Sequence, residues 1–217
     1  MAHENHSKFK VLTIPVGPLQ TNCYLVVNET TKKALVFDPG EDADRIYHYI
    51  SNQQLTVEAI LFTHGHFDHI RGGDQLASLV HAKTYMAQEE KILSEDANLN
   101  CSIMFGVATT LTPEVTVTDK EELKFLDTKI VVLATPGHTK GSVCYYFKEA
   151  GILISGDTLF FESYGRTDFP TGSAQQLEQS LTQILSTLPE EVVVYPGHGC
   201  ETTIGYEKRN NPYRNGV

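Results

Sequence analysis

Residues 63–69 read Thr-His-Gly-His-Phe-Asp-His, so three imidazoles and a carboxylate fall within six positions. A divalent ion needs several donor atoms within about 2.0–2.2 Å of one point, whereas packed neutral histidines have no comparable need of one another. His64 and His66 are two residues apart, so in an extended segment their side chains point the same way. Asp68 continues that register, while His69 falls out of phase and is available to a second ion. The cluster favours a metal site at the end of a strand over a solvated histidine-rich turn, and its spacing differs from the HExxH motif of helical zinc proteases.

Three later segments share one design, in which a short apolar run is followed by a glycine-containing turn. Each turn presents one side chain of a type that binds metals, and loops on a rigid scaffold are where chemistry usually takes place. The turns are Thr135-Pro-Gly-His138-Thr, Ser155-Gly-Asp157-Thr and Tyr195-Pro-Gly-His198-Gly, after runs at 130–134, 151–154 and 192–195. Six potential ligands and a shared carboxylate are too many for one tetrahedral ion, but they fit two.

This four-motif pattern resembles the metallo-β-lactamase superfamily, and the resemblance spans residues 11–198. It implies two groups of ligands, with Asp157 bridging the two ions. The first group is His64, His66 and His138, and the second is Asp68, His69 and His198. The resemblance also implies an α+β fold, a four-layer αβ/βα sandwich of two packed mixed β-sheets with outer helices. We expect residues 1–217 to form one such domain.

Composition is that of an ordinary globular protein, with 217 residues, 41% of them apolar and 20% charged. No apolar stretch approaches the roughly 20 residues of a membrane-spanning helix. The first ten residues are polar and lack the apolar core of a secretory signal. A cytoplasmic protein with no membrane partner is therefore expected.

The formal net charge is −10, and the sequence has no long basic run. Because a nucleic-acid surface needs clustered Lys and Arg, no nucleic-acid partner is expected and the nuclease branches of the superfamily are disfavoured. The cysteines are scattered without a CxxC pair and are expected to be free thiols; they are Cys23, Cys101, Cys144 and Cys200. Cys200 lies two residues after His198, so it either approaches the metals or has an incidental role.

Apolar periodicity and turn residues predict the secondary structure. Further strands are expected at 10–16, 22–27, 34–37, 57–62, 83–86, 143–147 and 152–154, and helices at 42–53, 73–80, 88–94 and 174–188. The segments 114–117 and 123–126 are predicted to pair as a hairpin around Asp119-Lys-Glu. Residues 94–112 have no clear period, so no element is assigned to them.

The resemblance implies a dinuclear centre that holds a water or hydroxide between the ions and lowers its pKa toward neutrality. The nucleophile then comes from solvent, and Asp68 and Asp157 are expected to be catalytic as well as metal-binding. Zinc is the first choice for a mixed His and carboxylate site, while iron and manganese stay open. Asp38, at the end of its strand, is either a carboxylate that orients a ligating histidine or an ordinary turn cap.

Two further segments resemble the short glyoxalase II-like hydrolases, which are similar to hydroxyacylglutathione hydrolase. Residues 165–172 read Gly-Arg-Thr-Asp-Phe-Pro-Thr-Gly, and residues 211–213 read Asn-Pro-Tyr. The resemblance implies a small-molecule acyl thioester as substrate and makes Arg166 and Arg214 candidate substrate-binding residues. A structural salt bridge is the other interpretation of Arg166. Arg214 is the one basic residue that follows the Asn-Pro-Tyr segment. The basic contacts by which the longer enzymes recognise glutathione are therefore in doubt for this chain.

Other functions compete for the same residues. Class B β-lactamases resemble the first motif but are exported and place Cys or Ser where Asp157 stands. Quorum-signal lactonases use a tyrosine where Phe160 lies. Persulfide dioxygenases carry a similar Gly-Arg-Thr-Asp-Phe segment and use a single iron, for which His64, His138 and Asp157 are a 2-His-1-carboxylate triad. A noncatalytic binding module would not need seven intact ligands. The sequence leaves the oligomeric state open.

Overall fold

The computed structural model describes residues 8–213, which contain fourteen strands and six α-helices. The strands are β1 Phe9–Val16, β2 Thr21–Asn28, β3 Lys33–Phe37, β4 Thr56–Leu61, β5 Lys83–Ala87, β6 Val115–Val117, β7 Glu122–Phe125, β8 Thr128–Ala134, β9 Val143–Phe147, β10 Ile152–Gly156, β11 Leu159–Phe160, β12 Ser163–Tyr164, β13 Val193–Pro196 and β14 Thr202–Thr203. The helices are α1 Ala43–Asn52, α2 Phe67–Ile70, α3 Gly73–Val80, α4 Lys91–Ser94, α5 Ala174–Thr187 and α6 Ile204–Asn210, with 3-10 turns at Gln88–Glu90 and Ile103–Phe105. None of the helices within residues 8–213 is long and apolar enough to cross a membrane.

Two six-stranded mixed sheets form the centre of the molecule. The first has the order β1-β2-β3-β4-β5-β6, in which β1, β2 and β3 pair antiparallel and β3 to β6 pair parallel. The second has the order β14-β13-β10-β9-β8-β7, and there only β10 and β13 pair parallel. Strands β11 and β12 form a separate small hairpin.

Alternating side chains along the strands divide the apolar residues into three layers, because successive residues of a strand point to opposite faces. In β2, Tyr24 and Val26 pack between the two sheets, whereas Leu25 packs against the helices outside the first sheet. In β10, Ile154 packs between the sheets and Leu153 packs against the helices outside the second sheet. The expected four-layer αβ/βα sandwich is therefore confirmed. Sheets covered on both faces also explain why these strands are apolar without alternation in the sequence.

The outer helices follow the predicted apolar spacing. Helix α1 buries Ile46 and Ile50, while α5 buries Leu177, Leu181, Ile184 and Leu185 along one side. Ser173 begins α5 as its N-cap and accepts a hydrogen bond from the Gln176 N–H at 3.4 Å. Helix α5 thus covers the second sheet and ends the four-layer stack.

Two local predictions are wrong. The segments 114–117 and 123–126 do not form a hairpin, because β6 pairs with β5 in the first sheet and β7 pairs with β8 in the second. The chain turns instead at Leu126 and Asp127, which both adopt positive φ. Asp68 also leaves the expected extended register, because residues 67–70 form helix α2. Asp68 and His69 consequently lie together, on the same side of the cluster.

The strand directions bring the candidate ligands to one edge of the sandwich. Strands β8 and β10 each pair antiparallel with β9, and β13 runs parallel to β10, so all three end at the same edge of the second sheet. Strand β4 of the first sheet ends at that edge too, where the Val143 N–H donates to the Thr63 carbonyl at 2.9 Å. Loops from both sheets therefore meet around one point.

Candidate metal centre

The seven side chains singled out in the sequence converge at this edge. His64 and His66 follow β4, Asp68 and His69 lie in α2, and the other three follow the ends of separate strands. His138 comes after β8, Asp157 after β10 and His198 after β13. Their potential ligand atoms lie within 4.8 Å of one another in three overlapping combinations: a first set of His64, His66 and His138; a second set of Asp68, His69 and His198; and His64, His69 and Asp157, which link the two sets.

The first set is a compact group of imidazoles. His138 Nε2 lies 2.9 Å from His66 Nδ1 and 3.2 Å from His64 Nε2. Two nitrogens bound at about 2.0–2.1 Å to a tetrahedral zinc ion would be about 3.4 Å apart. All three residues are buried, so this close approach of ring nitrogens is typical of a metal site and not of ordinary packing.

The second set combines imidazoles with carboxylates. Asp68 Oδ2 lies 3.3 Å from His198 Nε2 and 3.5 Å from His69 Nε2. Asp157 lies between the two sets, because its Oδ1 is 3.5 Å from His69 Nε2 and its Oδ2 is 3.5 Å from His138 Nε2. Its Oδ2 also lies 3.7 Å from His198 Nε2, so this one carboxylate contacts histidines of both sets.

The electrostatics differ between the two sets. Burial lowers the pKa of His64 well below its usual value and lowers the pKa of His66 to about 3, with neighbouring histidines adding to the effect. These rings are therefore neutral, which is the form that binds metals. Burial alone would lower the pKa of His69, but the carboxylates of Asp68, Asp157 and Asp38 raise it to about 10. The acidic side of the cluster therefore attracts positive charge.

Asp38 fixes the orientation of two of the histidines. Its Oδ2 accepts hydrogen bonds from His69 Nδ1 at 3.0 Å and from Thr63 Oγ1 at 2.6 Å, and its Oδ1 accepts from the Thr63 N–H at 2.8 Å. Thr63 Oγ1 in turn lies 3.1 Å from His64 Nδ1, which donates to it. With both Nδ1 atoms engaged in this way, Nε2 of His64 and Nε2 of His69 face the cluster. Of the two roles that the sequence left open, the contacts support the orienting one.

The loop after β12 orients a third histidine. His138 Nδ1 donates to the Arg166 carbonyl at 2.7 Å, which leaves Nε2 for the cluster. The Arg166 side chain makes two hydrogen bonds of 2.7 Å to the Asp168 carboxylate and lies over the Phe169 ring at 3.6 Å. Arg166 also lines the pocket, so the salt-bridge and substrate-contact interpretations of this residue are compatible. Arg214 lies outside the described residues.

Unpaired polar atoms test whether the cluster suits a metal. Within residues 8–213, the buried side-chain nitrogens and oxygens without a hydrogen-bond partner are His66 Nε2, His69 Nε2 and Asp157 Oδ1. Such atoms are costly to bury. All three belong to residues of this cluster, although His66 turns Nδ1 and not Nε2 toward His138. Two of them, on His69 and Asp157, face each other across the second set. The donor types, their spacing and these unpaired atoms fit one or two divalent ions.

A pocket of about 410 Å³ opens above the cluster. Asp68, His138, Asp157 and His198 lie at its base, and Arg166 is the cation among its lining residues. Its apolar walls are Leu19, Phe67, Phe105, Phe160, Tyr164 and Phe169. The 3-10 turn Ile103–Phe105 places Phe105 in this wall, so part of the segment that the sequence left unassigned borders the site.

Several contacts at the site had no sequence signal. Thr21 Oγ1 donates to Asp68 Oδ2 at 2.8 Å across 47 residues of chain, and Glu90 contacts two of the metal-site loops from a run of polar residues that resembles a surface. Only nonlocal pairing brings these groups to the cluster. Cys200 is exposed and belongs to none of the converging sets, and all four cysteines are free thiols, as expected.

Comparison with known sequences identifies related proteins. Residues 16–198 match the profile described as "Metallo-beta-lactamase superfamily". The chain is 41% identical over 205 residues to "Probable metallo-hydrolase YqgX" of Bacillus subtilis (strain 168), covering 94% of this chain and 96% of that protein. It is 34% identical over 206 residues to "Hydroxyacylglutathione hydrolase GloC" of Haemophilus influenzae, covering 93% and 96% of the two chains.

Solved structures give a consistent picture of the fold. A structure described as "BLEG-1 B3 metallo-beta-lactamase" superimposes with a TM-score of 0.89 at 40% identity, covering 94% of this chain and 99% of that one. A structure described as "TTHA1623 in a di-iron-bound form" superimposes with a TM-score of 0.82 at 35% identity, covering 94% and 100%. Iron in that relative means that fold and homology do not select zinc.

Proposed function

Because the chain belongs to the metallo-beta-lactamase superfamily of metallo-hydrolases, we propose that it hydrolyses thioesters of small thiols at a dinuclear metal centre. The ligands would be His64, His66 and His138 for one ion and Asp68, His69 and His198 for the other, with Asp157 shared. The ions would be divalent, with zinc first and iron or manganese as alternatives. The location we propose is the cytoplasm.

The position of Asp157 is the observation that carries this proposal. One of its oxygens faces His69 and the other faces His138, each at 3.5 Å. A single ion would need only one of these groups of histidines, whereas a pair of ions would be held by both groups and would share Asp157, whose Oδ2 also lies 3.7 Å from His198 Nε2. Two bound ions would supply a water of lowered pKa as nucleophile and positive charge to stabilise the oxyanion that develops at the carbonyl.

The chain's own residues would position the reactants. Asp68 lies at the base of the pocket, where its carboxylate would accept a hydrogen bond from the attacking water, and Thr21 holds that carboxylate from behind. Asp38 and the Arg166 carbonyl hold the histidine rings in the tautomers that present Nε2. The aromatic walls would exclude bulk water from the acyl group, which strengthens each of these electrostatic interactions.

Thioesters suit this pocket for chemical reasons and by similarity. A thiolate leaves easily and the thioester carbonyl is already electrophilic, so the walls need only align the carbonyl above Asp68 and Asp157. The relative at 34% identity is described as a hydroxyacylglutathione hydrolase. The guanidinium of Arg166, already paired with Asp168, would contact an anionic group of the thiol portion. Recognition of the thiol would therefore depend on few charged contacts.

The test compares thiol release with oxygen consumption. Zinc-loaded and iron-loaded protein are assayed in parallel for thiol release from lactoylglutathione and for aerobic oxygen uptake on glutathione persulfide. Asp157→Ala serves as the inactive control, and His48→Ala, an exposed histidine in α1, serves as the control that retains activity. Thiol release by the wild type and His48→Ala, but not by Asp157→Ala, is expected. Oxygen uptake without thioester turnover would replace the hydrolase with a dioxygenase that uses His64, His138 and Asp157.

A second candidate function comes from the structural relative described as a B3 metallo-beta-lactamase, at 40% identity. The same preparations should be assayed with a chromogenic β-lactam. We expect little turnover relative to thioester, because the resemblance places Cys or Ser of class B enzymes where this chain has Asp157. β-Lactam hydrolysis faster than thioester hydrolysis would reverse the assignment.

A further inference from the structure

Glu90 is a buried carboxylate with no role in the chemistry described above. It ends the 3-10 turn Gln88–Glu90 and is 0% exposed. Burial raises the pKa of its carboxyl, while donors from Thr139, Gly65 and Gly141 oppose that increase. An unpaired buried charge is costly, so this carboxylate depends on the hydrogen bonds that surround it.

The two oxygens of Glu90 contact two different loops of the metal site. Oε2 accepts from the Gly65 N–H at 2.7 Å, and Oε1 accepts from the Gly141 N–H at 2.7 Å. Gly65 lies between His64 and His66, so the first hydrogen bond holds the backbone that carries both rings. Charge-assisted hydrogen bonds of this length are stronger than neutral ones.

The second contact holds the turn that carries His138. This turn is closed by a hydrogen bond of 2.8 Å from the Thr135 N–H to the Ser142 carbonyl, so Gly141 and His138 belong to one hydrogen-bonded turn. A Cβ at Gly141 would lie 2.6 Å from the Glu90 nitrogen. The absence of a side chain at this position allows the backbone of residues 89–90 to pack directly on the turn.

We propose that Glu90 is a positioning residue that sets the distance between the His64–His66 loop and the His138 turn. These loops belong to different sheets, and the two oxygens of Glu90 join them through the Gly65 and Gly141 N–H groups. The second set, Asp68, His69 and His198, is not contacted by Glu90. Its ordering comes from Asp38 and Thr21 instead. The inference rests on the proposed metal centre and does not depend on the substrate.

The variant Glu90→Gln tests this role because it keeps the size of the side chain. Its amide has one accepting oxygen, so its NH₂ group must face one of the two glycine N–H donors. Outer contacts of metal ligands typically contribute 10–100-fold to metal affinity. We therefore expect zinc affinity at the His64, His66 and His138 set to fall about 10-fold or more. Affinity at the other set should stay within about 3-fold of the wild type.

The matched control is Glu207→Gln, which alters another fully buried carboxylate. Glu207 accepts hydrogen bonds from Thr202, Asn211 and the Glu162 N–H and touches neither metal-site loop. Zinc is added stepwise to metal-free protein, with affinities from chelator competition and each step assigned from histidine ring ¹⁵N signals. The melting temperature of each metal-free variant is measured in parallel.

We expect Glu90→Gln to lose zinc affinity selectively at the first set. Glu207→Gln should show no such loss, even at a similar fall in melting temperature. Equal weakening at both sets, or unchanged affinities in a folded Glu90→Gln protein, would overturn the proposal and leave Glu90 as a general fold contact. If Glu90→Gln does not fold, Glu90→Asp decides by the same criteria, because its shorter side chain cannot reach both glycines. Absence of thioesterase activity in the wild type would contradict the proposed function without affecting this comparison.

Discussion

Replacing Asp38 with Asn should separate an orienting role from a structural cap. Asp38 has φ +48°, a conformation that Asn tolerates well, so the backbone need not change. The amide nitrogen must take one of the two oxygen positions. At Oδ1 it would face the Thr63 N–H, donor against donor. At Oδ2 it would donate to His69 Nδ1 and to Thr63 Oγ1, which reverses the tautomers of His69 and His64 and places N–H groups toward the metals.

The expected magnitude follows from these contacts. Without metal, loss of at least one charge-assisted hydrogen bond should lower the free energy of unfolding by about 1.5–3 kcal/mol. For a chain of this size that is a fall in melting temperature of about 3–12 °C. With zinc, a 10–100-fold weaker affinity should remove a further ~1.4–2.7 kcal/mol of ligand-linked stabilisation. The difference between wild type and variant should therefore grow when zinc is added.

The assay is thermal unfolding of both proteins in chelator and in excess zinc, with stepwise zinc affinities from chelator competition. Asp42→Asn is the matched control, because Asp42 has φ +56° and an exposed carboxylate bonded to Arg45 and the Gly17 N–H. It makes the same change of charge away from the site. A folded Asp38→Asn protein that is destabilised but binds zinc as tightly as the wild type would refute the orienting role. It would support the interpretation of Asp38 as an ordinary turn cap.

Three further perturbations test other parts of the site and fold. Asp157→Ala should lower zinc content and thioester turnover more than any single His→Ala change, with turnover falling at least about 100-fold, because it removes contacts to both sets at once. Gly197→Ala should also lower zinc content, as its methyl group would overlap Asp157 Oδ1 and lie 2.8 Å from His69 Cε1. Leu181→Ala in α5 should cost about 2–5 kcal/mol of unfolding free energy and leave zinc affinity unchanged.

Elemental analysis and calorimetric melts check these results. Full zinc content and activity in Asp157→Ala would contradict the shared position of this carboxylate. Wild-type zinc content in Gly197→Ala would mean that the loop moves to accommodate the methyl group. The exposed residue Gln183 on the same helix supplies the control Gln183→Ala, which should change stability by less than about 0.5 kcal/mol. Equal effects of the two α5 variants would contradict the assigned core.

Local pattern was sufficient for the elements whose signal lies within one segment. The predicted bounds of helix α5 and of strand β2 agree with the structure to within two residues at each end. The hairpin expected at 114–126 failed because turn residues are similar whether a chain reverses within one sheet or crosses to another. Helix α2 was missed because four residues are too few to show a helical period.

The sequence by itself determined the types of potential metal ligand and their places after strands, because clustered histidine and aspartate side chains at strand ends are typical of metal sites. Tertiary structure alone decided how these residues are shared and held. Asp157 faces both sets, Asp38 reaches His69 across 31 residues, and Glu90 reaches Gly141 across 51. Such contacts have no local signature, since they depend on sheet pairing that brings distant loops within 3.5 Å of one another. A candidate metal site could therefore be predicted from residue type, whereas its geometry could be seen only in the fold.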